Sequence, residues 1–308
     1  MELYKKHRPT TFKEVVGQKE ALRKLASMHK REDIPHTILF TGPSGCGKTT
    51  IARILRDKLK CADVDFEEKN AADDRGIEMA RDIGRKMSLR PIGGPCRVYL
   101  IDEAHQLTTA GQDCLLKILE DTPSHVYFFL CTTDPKKLKK TILTRCTEIR
   151  VKPLTDTEAR LLLTTTASKE EQELTDEVLD EIVDAAEGSA RKLLVLLHEV
   201  IGIADPKQQL EAVQKQSIKK QSIDLARMLM TPQKGGWKKV AEILKALDDE
   251  PETIRRMILG YCSAVMLSGG HEGKTNRAFV VADAMRENFY DTGKNGLVLA
   301  CYEVFHEV

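Results

Sequence analysis

The sequence predicts an α/β fold in its first half, a parallel sheet wrapped by helices, followed by a small helical domain and a larger all-helical one. Three observations lead there. Gly42-Pro-Ser-Gly-Cys-Gly-Lys-Thr49 is a complete G-x-x-x-x-G-K-[ST] phosphate-cradling loop. Short, nearly continuous apolar runs alternate with helical patterns as far as Val151, the mark of a parallel sheet buried on both faces. Beyond Pro153 the pattern is helical throughout.

The strand-like runs are Thr37–Phe40, Arg97–Ile101, Val126–Cys131 and Thr147–Val151. A helix is expected over Thr50–Leu59, with Ile51, Ile54, Leu55 and Leu59 on one side. Another is expected over Gly111–Glu120, stopped by Asp121-Thr-Pro123. Pro153 marks a boundary, and Thr155-Asp-Thr-Glu158 is a capping box opening the next helix. A helix over Thr175–Glu187 ends at Gly188, and Ser189 caps another carrying Leu193, Leu194, Leu196 and Leu197. Asp205-Pro206 reads as a further break. Helices follow over Ile223–Met230, Trp237–Leu247, Pro251–Leu267, Thr275–Phe289 and Leu297–His306. The expected domains are 1–153, 154–207 and 208–308.

Composition narrows the class. Charged residues are 31% and hydrophobic ones 41% of the chain, ordinary values for a globular protein. No apolar run approaches the ~18 residues of a membrane span, and the first residues lack a signal-peptide core. A cytoplasmic location is therefore expected. With 48 basic against 47 acidic residues, nucleic acid would be held by a local patch or by one pooled from several subunits. None of the eight cysteines forms C-x-x-C, so neither zinc nor a disulfide framework is expected. Cys46, inside the loop, reads first as a small core residue and second as an oxidation-sensitive thiol.

The loop chemistry is specific. Gly42, Gly45 and Gly47 let the backbone turn its N–H groups toward phosphate, and Pro43, Ser44, Cys46 and Thr50 complete the cradle. Lys48 reaches the β/γ-phosphates, and the Thr49 hydroxyl can ligate magnesium. Val98-Tyr-Leu-Ile-Asp-Glu103 is a buried strand ending in two carboxylates. Asp102 is assigned to magnesium and Glu103 to the attacking water. Cys131-Thr-Thr-Asp134 ends the third strand, where a hydroxyl either senses a γ-phosphate or caps the strand. Arg145 either donates to a γ-phosphate or forms a surface ion pair. Arg191, in the first turn of a helix, opposes the macrodipole, and an anionic phosphate would offset that.

Longer runs carry a family likeness. Val98–His105, Leu115–Pro123, Cys131–Leu138 and Ile142–Cys146 stand in the order and spacing of sliding-clamp loaders, as do Tyr4–Pro9 and Phe12–Gln18. The chain resembles the bacterial DNA polymerase III gamma/tau subunits and, more distantly, the small subunits of replication factor C. The likeness is specific over 1–200. It weakens in the last domain, where Ile223–Arg227 and Ile254–Tyr261 carry it.

The resemblance implies an AAA+ ATPase domain, a helical lid and a collar that joins subunits in a pentamer. It implies ATP and Mg2+ held between subunits, with a sliding clamp and primer-template DNA as partners in DNA replication. By it, Arg145 is an arginine finger given in trans, Thr133 a first sensor and Arg191 a second sensor acting in its own subunit. Arg8, Pro9, Val15, Val16 and Gly17 would line the adenine side. Arg75, Arg81, Lys117 and Lys137 are DNA-backbone candidates, each equally readable as part of a solvated face. The family's four-cysteine zinc module is expected to be absent, since the stretch 60–70 holds only Cys61. The tau extensions are likewise expected to be missing. Two alternatives remain: a branch-migration or recombination ATPase, favoured by a winged-helix C-terminus, and a non-hydrolysing assembly subunit.

Overall fold

The structure is a computed structural model that describes residues 2–74, 76–232, 236–247, 250–268 and 272–306, with the side chains of 214–220 excepted. The chain divides into two compact units, 1–206 and 207–308.

In the first unit, the elements in chain order are α1 (Leu3–Lys6), α2 (Lys19–Lys30), β1 (Thr37–Thr41), α3 (Lys48–Lys58), β2 (Phe66–Asn70), α4 (Ile77–Met87) and β3 (Arg97–Asp102). Then come α5 (Thr109–Glu120), β4 (Val126–Thr132), α6 (Lys140–Leu143), β5 (Thr147–Arg150), α7 (Asp156–Lys169), α8 (Asp176–Ala186) and α9 (Ala190–Val200). The sheet is parallel, in the order β2-β3-β4-β1-β5.

That order follows from the sequence. The three apolar runs, β3, β4 and β1, take the central positions, where both faces are covered. The two charged strands take the edges, which charge keeps from pairing with foreign strands. One core layer gathers Leu25, Phe40, Leu55 and Phe129; the other gathers Ile83, Tyr99, Leu115 and Phe128. Each such fully buried side chain contributes roughly 1.5–3 kcal/mol.

Strand β2 was not expected from the sequence. Phe66-Glu-Glu-Lys-Asn70 has one apolar residue, so neither alternation nor an apolar run announces it. Helices α2 and α4 also lay outside the expected set. The capping box at Thr155 and Glu158 is formed in both directions. Ser189 caps α9 through its side chain, as expected, and Thr175, expected as the first residue of its helix, is instead the side-chain cap of α8.

The second unit is helical among the described residues: α10 (Pro206–Met230), α11 (Trp237–Ala246), α12 (Pro251–Leu267), α13 (Glu272–Ala284) and α14 (Gly293–His306). The helix expected from Ile223 is the end of α10, whose Pro206 begins the helix where a missing N–H is harmless. Leu225, Leu229, Ile254, Ile258, Cys262, Val281 and Val304 form this unit's core. Among the described residues, no helix is long and apolar enough to cross a membrane.

Candidate functional site

The C-terminal ends of β3, β4 and β1 lie side by side, and the loop after β1 turns there into α3. Ligands of open parallel sheets bind at such strand ends. Gly42 has φ +148°, and a Cβ there would lie 2.0 Å from Val151 O, so only glycine lets the loop leave the strand. Gly45 has φ +76°, and a Cβ there would lie 2.3 Å from Ser189 Oγ. The loop thus runs directly against the start of α9, and Arg191 N donates to Gly45 O at 3.1 Å.

Lys48 opens α3 and is buried, its ammonium donating to Gly42 O and Pro43 O at 2.8 Å each. Thr49 Oγ1 donates to Asp102 Oδ2 at 2.8 Å, and Glu103 N donates to Asp102 Oδ1 at 2.9 Å. Glu103 has φ 48° and ψ 41°, a left-handed conformation that costs a non-glycine residue about 1–3 kcal/mol. Its carboxylate lies 3.4 Å from Thr133 Oγ1 and 3.3 Å from His105 Nδ1.

Of these groups, Lys48, Thr49, Asp102 and Glu103 open onto a cavity of about 250 Å³, which Thr133 and His105 do not line. Ser44, Gly45, Cys46, Gly47, Lys48, Thr49 and Thr50 line it with Asp102, Glu103 and Arg191. Arg8, Pro9, Val15 and Val16 line it as well, so the sequence-expected phosphate and base sides meet in one hollow. Gly17 instead faces Leu154 and Glu158 at the start of α7. The next residue, Gln18, exchanges two hydrogen bonds with the Lys152 backbone, which fixes the base-side loop to the sheet. Burial pulls the Arg8 guanidinium below its usual range. Burial likewise raises the Cys46 thiol, which suits a core residue better than a reactive one.

The donor set fits the implied groups. A hydroxyl and a carboxylate oxygen side by side are hard ligands of the kind magnesium prefers. A buried ammonium, left-handed glycines and a helix N-terminus form an anion cradle.

Arg145 is not among the residues lining this cavity. It is part-exposed, donating to Thr141 O and pairing with Glu120 at the end of α5. Arg81 pairs with Glu78 on α4, Lys137 approaches Asp134 at 3.7 Å, and Lys117 is exposed on α5. Arg75 lies outside the described residues. Among the described residues, no group of three or more His, Cys, Asp or Glu side chains is arranged to hold a metal ion.

Some lining residues escaped the sequence reading. The Arg191 guanidinium lies over the Tyr4 ring, 5.6 Å from Cζ to ring centre. Arg53 lines the cavity and forms a two-pronged pair with Glu68 of β2 at 2.8 and 2.9 Å. Its position four residues after Thr49 on one helix face was the available signal. Glu68 had none, since β2 itself was not legible.

Residues 17–155 match the family model described as DNA polymerase III, delta subunit. The chain is 37% identical over 232 residues to the DNA polymerase III subunit tau of Escherichia coli, covering 68% of this chain and 36% of that one. It is 34% identical over 229 residues to the gamma/tau subunit of Mycobacterium tuberculosis, covering 67% of this chain and 40% of that protein. The chain is gamma/tau-like. This gamma/tau-like chain spans about two fifths or less of the curated relatives it matches.

Among solved structures, it superposes on the Thermotoga maritima RuvB Holliday junction branch migration motor with a TM-score of 0.59. The match is at 22% identity, over 88% of this chain and 91% of that one. At that identity the match shows the fold alone: an α/β AAA+ P-loop architecture with a helical C-terminal region.

Proposed function

We propose that this gamma/tau-like chain is an ATP-hydrolysing clamp loader subunit that works with other subunits, copies of itself included. The proposed assembly is a pentamer that opens a sliding clamp and sets it on primer-template DNA in the cytoplasm. The observation that carries the reading is the division of the arginines. Arg191 lines the cavity with Lys48, Thr49, Asp102 and Glu103, while Arg145 does not line it and pairs with Glu120. A site complete except for one cation, on a chain that exposes a cation elsewhere, suits chemistry shared between neighbours.

The residues then divide the work. Lys48 exchanges its two loop carbonyls for β/γ-phosphate oxygens. Thr49 and Asp102 would hold Mg2+, which would supply positive charge to offset that of the phosphates. Glu103 orients and polarises the water, and Thr133 stands beside it to meet the γ-phosphate. Arg191 supplies charge in cis from the lid helix α9. Arg145 of a neighbour supplies the remaining charge, a contribution of roughly 10³–10⁵ in rate where it has been isolated. Arg8, Pro9, Val15 and Val16 enclose the base. DNA is held by backbone contacts at Arg81, Lys117 and Lys137, and at Arg75, which lies outside the described residues.

The branch-migration alternative rests on the fold match alone and is not favoured. The sequence match is to gamma/tau subunits, and the described residues of 207–308 are helical, without the strands of a winged helix. A non-hydrolysing subunit would have no use for Lys48, Thr49, Asp102 and Glu103 gathered at one cavity. The test is ATP hydrolysis by the purified complex with and without clamp and primed DNA, using Lys48→Ala and Arg145→Ala. Turnover indifferent to clamp and DNA rejects the loader reading.

A further inference from the structure

We propose that His105 is a positioning residue for Glu103, holding the carboxylate in the orientation from which it polarises water. The inference rests on the reading of Glu103 given above and adds a residue that the reading does not use.

His105 sits in the short 3-10 turn Ala104–Gln106 that follows β3 directly, and its side chain is only 8% exposed. Three polar groups surround the ring. Glu103 Oε2 is 3.3 Å from Nδ1, Thr132 Oγ1 is 3.2 Å from Nδ1, and Gln106 Nε2 is 3.2 Å from Nε2. A neutral imidazole has one N–H and one bare nitrogen. The Gln106 amide nitrogen is a donor only, so it selects the tautomer whose Nε2 is bare. The proton is then on Nδ1, the nitrogen that faces Glu103, and an ionised carboxylate only accepts. The contacts run in one direction: Gln106 donates to the ring, and the ring N–H donates to Thr132 Oγ1 with the Glu103 carboxylate beside the same nitrogen at 3.3 Å, within ion-pair range.

Thr132 closes the arrangement. Its hydroxyl oxygen accepts from Asp134 N at 3.1 Å, which fixes the hydroxyl beside Nδ1 at the end of β4. Thr133, the next residue, reaches the same Glu103 oxygen at 3.4 Å. One carboxylate oxygen therefore lies between a ring from the β3 turn and the Thr133 hydroxyl just past β4. The other oxygen is left for a water. Glu103 needs such restraint, because its left-handed backbone does not by itself fix the side chain.

The experiment measures phosphate release by the full chain, with the subunits that co-purify. Affinity for a fluorescent ATP analogue and thermal unfolding are followed in parallel. His105→Ala is expected to lower kcat by about 10–100-fold, the loss typical of a supporting partner, with KM and analogue affinity within about twofold. His105→Asn places an amide N–H where Nδ1 stood and is expected to recover most of kcat. Combined with Glu103→Gln, His105→Ala is expected to lower turnover no further than Glu103→Gln alone.

Unchanged or raised kcat in His105→Ala overturns the proposal, as does an independent loss on top of Glu103→Gln. A loss in His105→Asn as deep as in His105→Ala overturns it too. Gln106→Leu leaves the ring in place and removes the group that selects its tautomer. It is expected to cost part of the same loss, and it carries the test should His105→Ala fail to fold; wild-type turnover in Gln106→Leu then counts against the proposal. If Glu103→Gln itself leaves turnover intact, the reading of the site falls first and this inference with it.

Discussion

Thr49 and Asp102, on different elements and 53 residues apart, are joined by a 2.8 Å hydrogen bond at the mouth of the phosphate loop. Thr49 is the second residue of α3, and Asp102 is the last of β3. The bond aligns two hard oxygen donors before any cation arrives, so little reorganisation is left for binding. Thr49→Ala removes one donor and frees the carboxylate. The expected result is a loss of magnesium affinity at least as large as the ~10–100-fold seen for supporting groups. Thr49→Ser should restore most of it. A magnesium titration of ATP hydrolysis reads both, and equal half-saturation in wild type and Thr49→Ala would reject the metal assignment.

Arg145 makes a contrasting prediction because its visible partner is on the surface. Arg145 and Glu120 are 37% and 44% exposed, and such pairs contribute at most about 1 kcal/mol. Both Glu120→Gln and Arg145→Ala should therefore leave the unfolding temperature nearly unchanged. Turnover should separate them. Arg145→Ala should lose on the order of 10³-fold in kcat while keeping nucleotide affinity, if the guanidinium acts on a neighbour's ATP. Mixing Arg145→Ala with Lys48→Ala subunits should restore part of the activity, since one supplies intact cradles and the other intact donors. No recovery on mixing argues that the arginine does not act in trans.

Tyr4 is expected to act through Arg191. Its ring lies under the guanidinium, and α1 is pinned beside the end of α7 by Lys6 and His7, both of which pair with Glu170. A ring–guanidinium contact of this kind is worth about 0.5–1 kcal/mol when exposed. Tyr4→Ala should therefore weaken nucleotide binding by only a few fold, and Tyr4→Phe should match wild type because the ring face is what matters. If Tyr4→Phe binds as weakly as Tyr4→Ala, the hydroxyl's bond to Glu2 is the operative contact instead.

What could be read from the sequence follows from how each element earns its place. The central strands are legible because burial on both faces demands apolar runs, and the phosphate loop because Gly42 and Gly45 stand where a Cβ would collide and Gly47 holds a φ of +104° that side chains rarely adopt. Strand β2 was illegible for the converse reason. An edge strand is held by one neighbour's hydrogen bonds, and Glu67, Glu68 and Lys69 report only that its surroundings are wet. The cavity divides in the same way. Lys48, Thr49, Asp102 and Glu103 sit in local motifs, and the structure brings them together. Arg53 with Glu68, and Tyr4 with Arg191, are pairings between distant segments, set by sheet order and helix packing rather than by spacing. His105 stood inside a recognisable run, but its contact with Glu103 depends on the left-handed turn at Glu103, which no local residue type requires.

The second unit carries a pH-dependent prediction. Glu252, near the start of α12, is buried and accepts from Arg255 at 2.6 and 2.8 Å, from Arg256 at 3.1 Å and from Phe289 N at 3.3 Å. The Arg255 guanidinium chiefly, with Phe289 N–H and Arg256, draws its carboxyl down to about 2. A carboxyl whose folded pKa lies below its unfolded value contributes stability that is fully present above the unfolded pKa, ordinarily 4.5. That contribution is lost as pH falls from there toward about 2, because the unfolded chain takes up the proton first. The network joins α12 to the segment after α13, so its loss should loosen this unit in particular. Thermal unfolding followed from pH 7 to 3 should fall below pH 4.5 in the wild type. Glu252→Gln should start lower at pH 7, because Arg255 is left beside a neutral amide, and should decline less steeply with acid. A parallel decline in the two proteins would assign the acid sensitivity to other carboxylates.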